Sequence, residues 1–133
     1  MRVLVVDNEI SMCSMLEMIL MKQYQVVTAQ TVKRATEIMI EDAPFNAAIA
    51  SLDDGKGLEF LTWVNEQYPR TVRVLMSGGN YDNAQINKAI LEGQITSFIE
   101  KPLFVPSLLD QLKCGLSVLP KSPLNRVLRS IAP

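Results

Sequence analysis

The chain has 133 residues, the length of one ordinary domain and enough to bury a hydrophobic core. Hydrophobic residues make up 48% of the chain and charged residues 20%, which is typical of a globular protein and excludes a disordered segment. The net charge of −1 gives no support for nucleic-acid binding through a basic surface. No apolar run in the sequence reaches the length of a membrane span.

The sequence has two cysteines, Cys13 and Cys114, and no histidine. The cysteines match no metal-binding spacing, so we expect reduced thiols in a cytoplasmic protein. Because histidine is absent, the chain lacks the commonest general base and the commonest metal ligand. The sequence therefore offers neither of these for catalysis or for metal binding.

Five strand patterns alternate with five helix patterns along the chain. The first pattern, RVLVV, is an apolar run typical of a strand buried on both faces of a parallel sheet. Thr31 is a predicted N-cap and Gly93 a predicted helix stop. The predicted elements are strand 2–6, helix 9–21, strand 25–29, helix 31–41, strand 47–51, helix 57–68, strand 71–77, helix 82–92, strand 96–100 and helix 106–119.

This alternation predicts an α/β fold with a parallel sheet, right-handed crossovers and helices on both faces. In such folds the binding site lies at the carboxyl ends of the strands. The residues that follow the predicted strands are therefore the candidates for a functional site. They are Asp7, Asn8 and Glu9, then Ser51, Leu52 and Asp53, then Ser77 and Gly78, then Lys101 and Pro102.

Residues 120–133 form a tail that is separate from the alternating pattern. Ser122 is a predicted N-cap and Pro123 a first helical residue, so a short helix is expected. Its apolar stripe consists of Leu124, Val127, Leu128 and Ile131. We expect two parts, a domain over 1–119 and this tail with a short amphipathic helix. The tail either packs on its own domain, leads into a further domain or docks on a partner.

Four motifs stand in the same order as in a known family. They are VLVVDNE at the first strand, GLEFL at the third helix, VLMSGG at the fourth strand and FIEKP at the fifth. With these motifs, residues 1–119 resemble the CheY-like receiver domain of bacterial two-component response regulators. The resemblance implies a flavodoxin-like (βα)5 three-layer sandwich with a five-stranded parallel sheet in the order 2-1-3-4-5.

The resemblance also implies roles for the residues at the strand ends. In the family, acidic residues after the first strand help to hold Mg²⁺, and an Asp ending the third strand accepts a phosphoryl group. A Ser/Thr and a Lys contact that group, and Ser77 and Lys101 match them. The sequence departs from the pattern at two of its most important positions, because Ser51 replaces the accepting Asp and Asn8 replaces the main metal-binding carboxylate, while Asp7 remains. The turn after the third strand is also shorter than is usual in the family.

Each departure has a chemical consequence. Ser51 cannot form an acyl phosphate, and the chain has no histidine to activate its hydroxyl. Asn8 keeps an oxygen but loses the charge that favours Mg²⁺, and it is also a candidate N-cap of the following helix. The sequence therefore predicts a degenerate phosphoacceptor pocket, which consists of Asp7, Asn8, Ser51, Asp53, Ser77 and Lys101.

Three expectations about geometry follow. Lys101 is expected to form a partly buried ion pair with Asp7 and Asp53. Phe98 occupies the place of the family's switch aromatic and is expected to point inward. The resemblance implies a cis peptide bond between Lys101 and Pro102.

Three functions are compared. The first is a pseudo-receiver of a phosphorelay, acting by protein–protein interaction without aspartyl phosphorylation. On this hypothesis we expect a protein that is not an enzyme and has no resident metal or cofactor. The second is a phosphorylatable receiver with Asp53 or Asp54 as acceptor and Mg²⁺ bound, for which Asp7 and Asp53 are weak metal candidates. The third is a flavin or nucleotide binder, which the carboxylates of the DNE loop disfavour.

The expected partner is a signalling protein, a histidine kinase or an effector domain. It would bind through residues 82–119, the face that the family uses for partners, and a homodimer is possible on the same resemblance. We expect no binding of nucleic acid or membrane by this domain.

Overall fold

The fold is taken from a computed structural model, which describes residues 1–53, 55–79 and 81–118. Asp54 and the predicted tail helix lie outside the described residues. Each observed helix and strand differs from its predicted bounds by at most one residue at either end. The elements are β1 (Arg2–Val6), α1 (Ile10–Leu20), β2 (Gln25–Ala29), α2 (Val32–Asp42), β3 (Ala47–Ser51), α3 (Lys56–Gln67), β4 (Val72–Ser77), α4 (Asn83–Leu91), β5 (Ser97–Glu100) and α5 (Val105–Val118).

The five strands form one parallel sheet in the order β2-β1-β3-β4-β5, which confirms the predicted fold. Along β1 the pairing is regular on both sides, with Leu4 beside Val27 of β2 and Ala48 of β3. The central strands β1, β3 and β4 are buried almost throughout, so their apolar runs satisfy both faces of the sheet. The alanines of β3 are weak strand formers, and burial between β1 and β4 determines their conformation.

Alternate residues of each strand enter two separate cores. Leu4 and Val6 face the core that α2, α3 and α4 cover, whereas Val3 and Val5 face the core under α1 and α5. The molecule is therefore a three-layer sandwich with helices on both faces of the sheet. None of the helices in the described part of the chain has the length and apolar character that crossing a membrane requires.

Two of the predicted helix-end residues are confirmed and one is wrong. Thr31 caps α2, since its Oγ1 atom accepts a hydrogen bond of 3.1 Å from the N–H of Arg34. Gly93 ends α4 with a φ of 75°, a conformation that glycine adopts readily. The predicted cap at Asn8 is wrong, because Glu9 occupies the N-cap position of α1 and makes no side-chain cap bond.

Candidate functional site

A cleft of about 470 Å³ opens at the carboxyl ends of β3, β4 and β5. Parallel strands bring their carboxyl ends to one edge of the sheet, so residues far apart in the sequence meet there. The lining residues are Glu9, Ser51, Leu52, Asp53, Ser77, Gly78, Gly79 and Lys101. The cleft therefore contains most of the side chains that the sequence placed in the candidate pocket.

The ammonium group of Lys101 connects two of the strand ends. Its Nζ atom donates a hydrogen bond of 2.9 Å to Oδ2 of Asp7 and one of 3.2 Å to Oγ of Ser51. The lysine side chain is 18% exposed and that of Asp7 is fully buried, so water screens the pair only weakly. Ser51 accepts from the ammonium, which is the opposite of what a general base would do for a nucleophilic serine.

Lys101 is held by its backbone and its stem as well as by its charge. Its N–H donates to the carbonyl of Ser77 at 2.8 Å, which continues the pairing between β4 and β5. A Cβ on Gly78 would lie 3.1 Å from Cβ of Lys101, so glycine leaves room for the stem to pass. Ser77 itself is buried at the end of β4 and lines the cleft. The peptide bond between Lys101 and Pro102 is cis, which confirms that prediction.

Asp7 has both carboxylate oxygens engaged. Oδ1 accepts a hydrogen bond of 2.9 Å from the N–H of Glu9, and Oδ2 faces Lys101. Residues 1–53, 55–79 and 81–118 contain no group of three or more acidic or cysteine side chains that could hold a metal ion. Mg²⁺ favours several oxygen ligands with negative charge. The described residues, with a neutral Asn8 and a lysine already bound to Asp7, do not fit this ion.

Asp53 lies in a tight turn between β3 and α3. Its φ is 45°, and the N–H groups of Gly55 and Gly57 both donate to the carbonyl of Leu52, at 3.0 and 2.9 Å. This conformation directs Asp53 toward Asn8, whose Nδ2 atom lies 3.5 Å from its Oδ1. The predicted ion pair of Lys101 with Asp53 is therefore wrong, because among the described residues the lysine pairs with Asp7 alone.

Gly57 fixes how closely α3 approaches the end of β3. A Cβ at this position would lie 1.8 Å from the carbonyl oxygen of Ser51, a distance that no side chain can occupy. Glycine is therefore required by the close approach of two backbone segments. The sequence signal was the unusually short turn, which brings the start of α3 directly onto the strand end.

Phe98 on β5 is half-buried and packs against the core that α2, α3 and α4 cover, as expected. Sequence reasoning missed its neighbour Tyr81, whose ring lies edge-on with a centroid distance of 4.8 Å. The Tyr81 hydroxyl donates to Oε1 of Glu100, and this hydrogen bond is the main reason that the pKa of Tyr81 is raised. Tyr81, in the loop that precedes α4, therefore contacts Phe98 and Glu100 of β5 beside the cleft.

Cys13 lies beneath the site on α1. Its thiol donates to the backbone carbonyl of Asp7 at 3.3 Å, so it supports the segment that carries the buried carboxylate. Burial is the largest influence on this thiol and raises the pKa of Cys13. The sequence indicated only a reduced thiol at Cys13, and no pattern in it indicated this contact.

Known proteins share this arrangement of strands. The family model described as the response regulator receiver domain matches residues 3–113. The chain belongs to the response regulator receiver domain family. The comparison with curated proteins produced no match.

Solved structures show the same receiver fold. A structure described as adenylate cyclase from Rhodopirellula baltica is 21% identical over 98% of both chains, with a TM-score of 0.85. The signal receiver domain of an HD domain-containing protein from Pseudomonas fluorescens Pf-5 is 27% identical, covering 87% of this chain and 94% of that one, with a TM-score of 0.78.

A third structure contains the receiver fold within a longer protein. NtrX from Brucella abortus in complex with ADP is 23% identical, with a TM-score of 0.78, and the match covers 98% of this chain but 28% of NtrX. The family assignment makes this chain a receiver domain of two-component signalling. Such domains are generally non-enzymatic modules that interact with other signalling proteins or effector domains.

Proposed function

We propose that this receiver domain is a pseudo-receiver, which signals by protein–protein interaction without aspartyl phosphorylation. The observation that carries the proposal is the pair of bonds from Lys101 to Asp7 and to Ser51 Oγ. The residue at the acceptor position is a serine that accepts from a lysine, and the neighbouring carboxylate already has a cationic partner. Three parts of the phosphoryl-transfer site are therefore engaged with one another.

In this proposal the internal ion pair holds the cleft in one arrangement. A charge pair with little solvent contact is costly to separate, because each group would be left without a partner in a partly dry site. The partner protein would then recognise a constant surface rather than one that changes with phosphorylation. The two free cysteines agree with a cytoplasmic location, where thiols stay reduced.

The surface that we propose for the partner runs over α4, β5 and α5, within residues 82–119. Leu91 is 86% exposed and Phe104 is 67% exposed, an unusual degree of exposure for large hydrophobic side chains. Exposed apolar side chains of this kind are common at protein interfaces. We propose a signalling protein, either a histidine kinase or an effector domain, as the occupant.

The alternative is a phosphorylatable receiver with Asp53 or Asp54 as acceptor. Asp53 lines the cleft, which is what favours this function. Its carboxylate pairs with Asn8 rather than with Lys101, and the described residues offer no group suited to Mg²⁺. The remaining alternative, a flavin or nucleotide binder, gains no support from a cleft lined by Glu9 and Asp53, since carboxylates repel phosphate.

The experiment that tests the proposal is incubation with Mg²⁺ and either acetyl phosphate or beryllofluoride. We expect the intact mass after acetyl phosphate, and the amide NMR spectrum with beryllofluoride, to remain those of the untreated protein. A phosphorylatable receiver domain treated in parallel is the positive control. A Mg²⁺-dependent adduct that peptide mapping assigns to Asp53 or Asp54 would overturn the proposal in favour of the alternative.

A further inference from the structure

The outer face of α1 carries several large apolar side chains where a surface helix is ordinarily polar. The inner face of the helix packs on the sheet through Cys13, Leu16 and Leu20. On the opposite side, large apolar side chains are exposed to solvent. They are Ile10 (63% exposed), Met15 (38%), Met18 (68%) and Met21 (62%).

The spacing along this face is that of a short two-helix seam. Ser11, Ser14, Met18 and Met21 recur at intervals of three and four residues, the a and d positions of a heptad. All four are exposed, and the two serines are small enough to let a second helix approach closely. The flanking positions are also exposed. They are Ile10 and Glu17 on one side and Met15 and Lys22 on the other.

The charges on the two flanks select the occupant. In a parallel helix pair, a g residue faces the e residue five positions later on the other helix. Glu17 of α1 and Lys22, which lies in the turn just after the C-cap Met21, have this spacing, so a second copy of the same segment would form the ion pair twice about a two-fold axis. An antiparallel pair would instead bring Glu17 near its own copy.

We infer that the outer face of α1 binds the same face of a second copy of this chain, with the two helices parallel. The helix is already held by its own domain, so pairing does not have to pay for helix formation. The seam spans only about three helical turns, and stable interfaces bury about 1,000 Å² or more in total. We therefore expect a reversible, concentration-dependent dimer.

Sedimentation equilibrium of the full chain over a concentration series tests the inference. We expect the mass to rise from monomer to dimer with concentration. Met18→Glu places a charge in the seam, and we expect it to raise the dissociation constant about tenfold or more. The matched control is Ile40→Glu on α2, since Ile40 is 65% exposed and lies outside both proposed surfaces. It also replaces an exposed apolar residue by an acid and should leave the association unchanged.

Two further variants test the orientation. Glu17→Lys alone should weaken the dimer, and the double swap Glu17→Lys with Lys22→Glu should restore it. In a parallel pair Ser14 faces its own copy, so Ser14→Cys should form a disulfide-linked dimer on mild oxidation in a Cys114→Ser background.

Three results would overturn the inference. The first is a monomer at every concentration, and the second is a dimer that persists in Met18→Glu. The third is a dimer in which Ser14→Cys does not cross-link. Loss of the dimer in Leu91→Glu but not in Met18→Glu would place self-association on the α4, β5 and α5 surface instead. None of these results depends on whether the acceptor position is phosphorylated, so the inference and the proposed function fail separately.

Discussion

The Nζ atom of Lys101 lies 2.9 Å from Oδ2 of Asp7, across a separation of 94 residues in the sequence. The Asp7 side chain is fully buried and the Lys101 side chain is 18% exposed. Removing one member of such a pair leaves the other without compensation in a site that water reaches poorly. The pair therefore links β1 to the end of β5 and should contribute to the stability of the whole cleft.

Asp7→Asn removes the negative charge and keeps the shape of the side chain. We expect this variant to lower the free energy of unfolding by about 1–3 kcal/mol, because Lys101 loses its counter-charge while it stays largely buried. Urea denaturation followed by circular dichroism measures the change. Lys101→Met added to Asp7→Asn should recover part of the loss, since no unpaired ammonium then remains.

An exposed ion pair of the same charges is the control for this prediction. Lys88 on α4 and Glu92 at the C-cap of this helix lie 3.9 Å apart, with side chains 73% and 48% exposed. Glu92→Gln should therefore change the free energy of unfolding by less than about 0.5 kcal/mol. Equal losses in Asp7→Asn and Glu92→Gln would show that burial gives the first pair no special weight.

The second prediction concerns the acceptor position. Ser51→Asp supplies a carboxylate beside Lys101 but leaves Asn8 neutral, so we expect no stable beryllofluoride adduct from this change alone. Ser51→Asp together with Asn8→Asp supplies both missing charges, and Asp7, Ser77 and Lys101 are already in place. We expect this double variant to gain a Mg²⁺-dependent shift in its amide NMR spectrum.

The single variant Asn8→Asp is the matched control, since it adds the metal-binding charge without an acceptor. It should give no adduct with either reagent. If the double variant also fails to react, the short turn after β3 and not the two side chains prevents the chemistry. An adduct in the unaltered protein would mean that another carboxylate already accepts the phosphoryl group.

The fold could be predicted because it depends on local patterns. Apolar runs such as RVLVV identify buried parallel strands, and the alternation with helices leaves few topologies. The residues at the strand ends followed from the same logic, since parallel strands end at one edge. The sequence therefore predicts the proximity of Asp7, Ser51, Ser77 and Lys101 that the structure shows.

The contacts within the site were harder to predict. The predicted ion pair of Lys101 includes Asp53 as well as Asp7, but the positive φ of Asp53 turns its carboxylate toward Asn8. A dihedral angle in a short turn depends on how α3 rests on β3, which is a tertiary effect. The contact between Tyr81 and Phe98 was missed for a similar reason, because it joins a loop to a strand 17 positions further along, a spacing that no periodicity marks.

The third prediction concerns the close approach at Gly57. Gly57→Ala would place a Cβ 1.8 Å from the carbonyl oxygen of Ser51, so α3 must move away from β3. We expect a loss of about 3 kcal/mol or more in the free energy of unfolding, measured by urea denaturation. The displaced helix should also change the amide NMR signals of Ser51 and Lys101.

Gly93→Ala separates this clash from ordinary glycine strain. Gly93 has a φ of 75° and nothing within 4 Å of a built Cβ, so its cost comes from backbone conformation alone. That cost is about 1–2 kcal/mol for a residue in the left-handed region. If Gly57→Ala is no more destabilising than Gly93→Ala, then α3 can move away from the carbonyl of Ser51 at little cost in free energy.

The fourth prediction concerns thiol reactivity. Cys13 is buried and Cys114 is exposed. At neutral pH we expect iodoacetamide to modify Cys114 and to leave Cys13 unmodified until the protein unfolds, because burial limits access and raises the pKa of Cys13. Peptide mass spectrometry with and without urea measures the order. Modification of Cys13 at the rate of Cys114 in the folded protein would contradict the packing described for α1.

The fifth prediction is a pH dependence that the same thiol imposes. Because burial raises the pKa of Cys13 above its ordinary value of 9.0, the folded protein holds the thiol proton more tightly than the unfolded chain. The stabilisation is fully present below that ordinary value and is lost as the pH rises through the higher pKa of the folded state. Cys13→Ala has no thiol to titrate at this position. Relative to this variant, the free energy of unfolding of the unaltered protein should therefore fall as the pH rises above 9.0. Urea denaturation of both proteins at neutral and alkaline pH measures this shift, and a difference that stays constant with pH would show that the thiol titrates alike in both states.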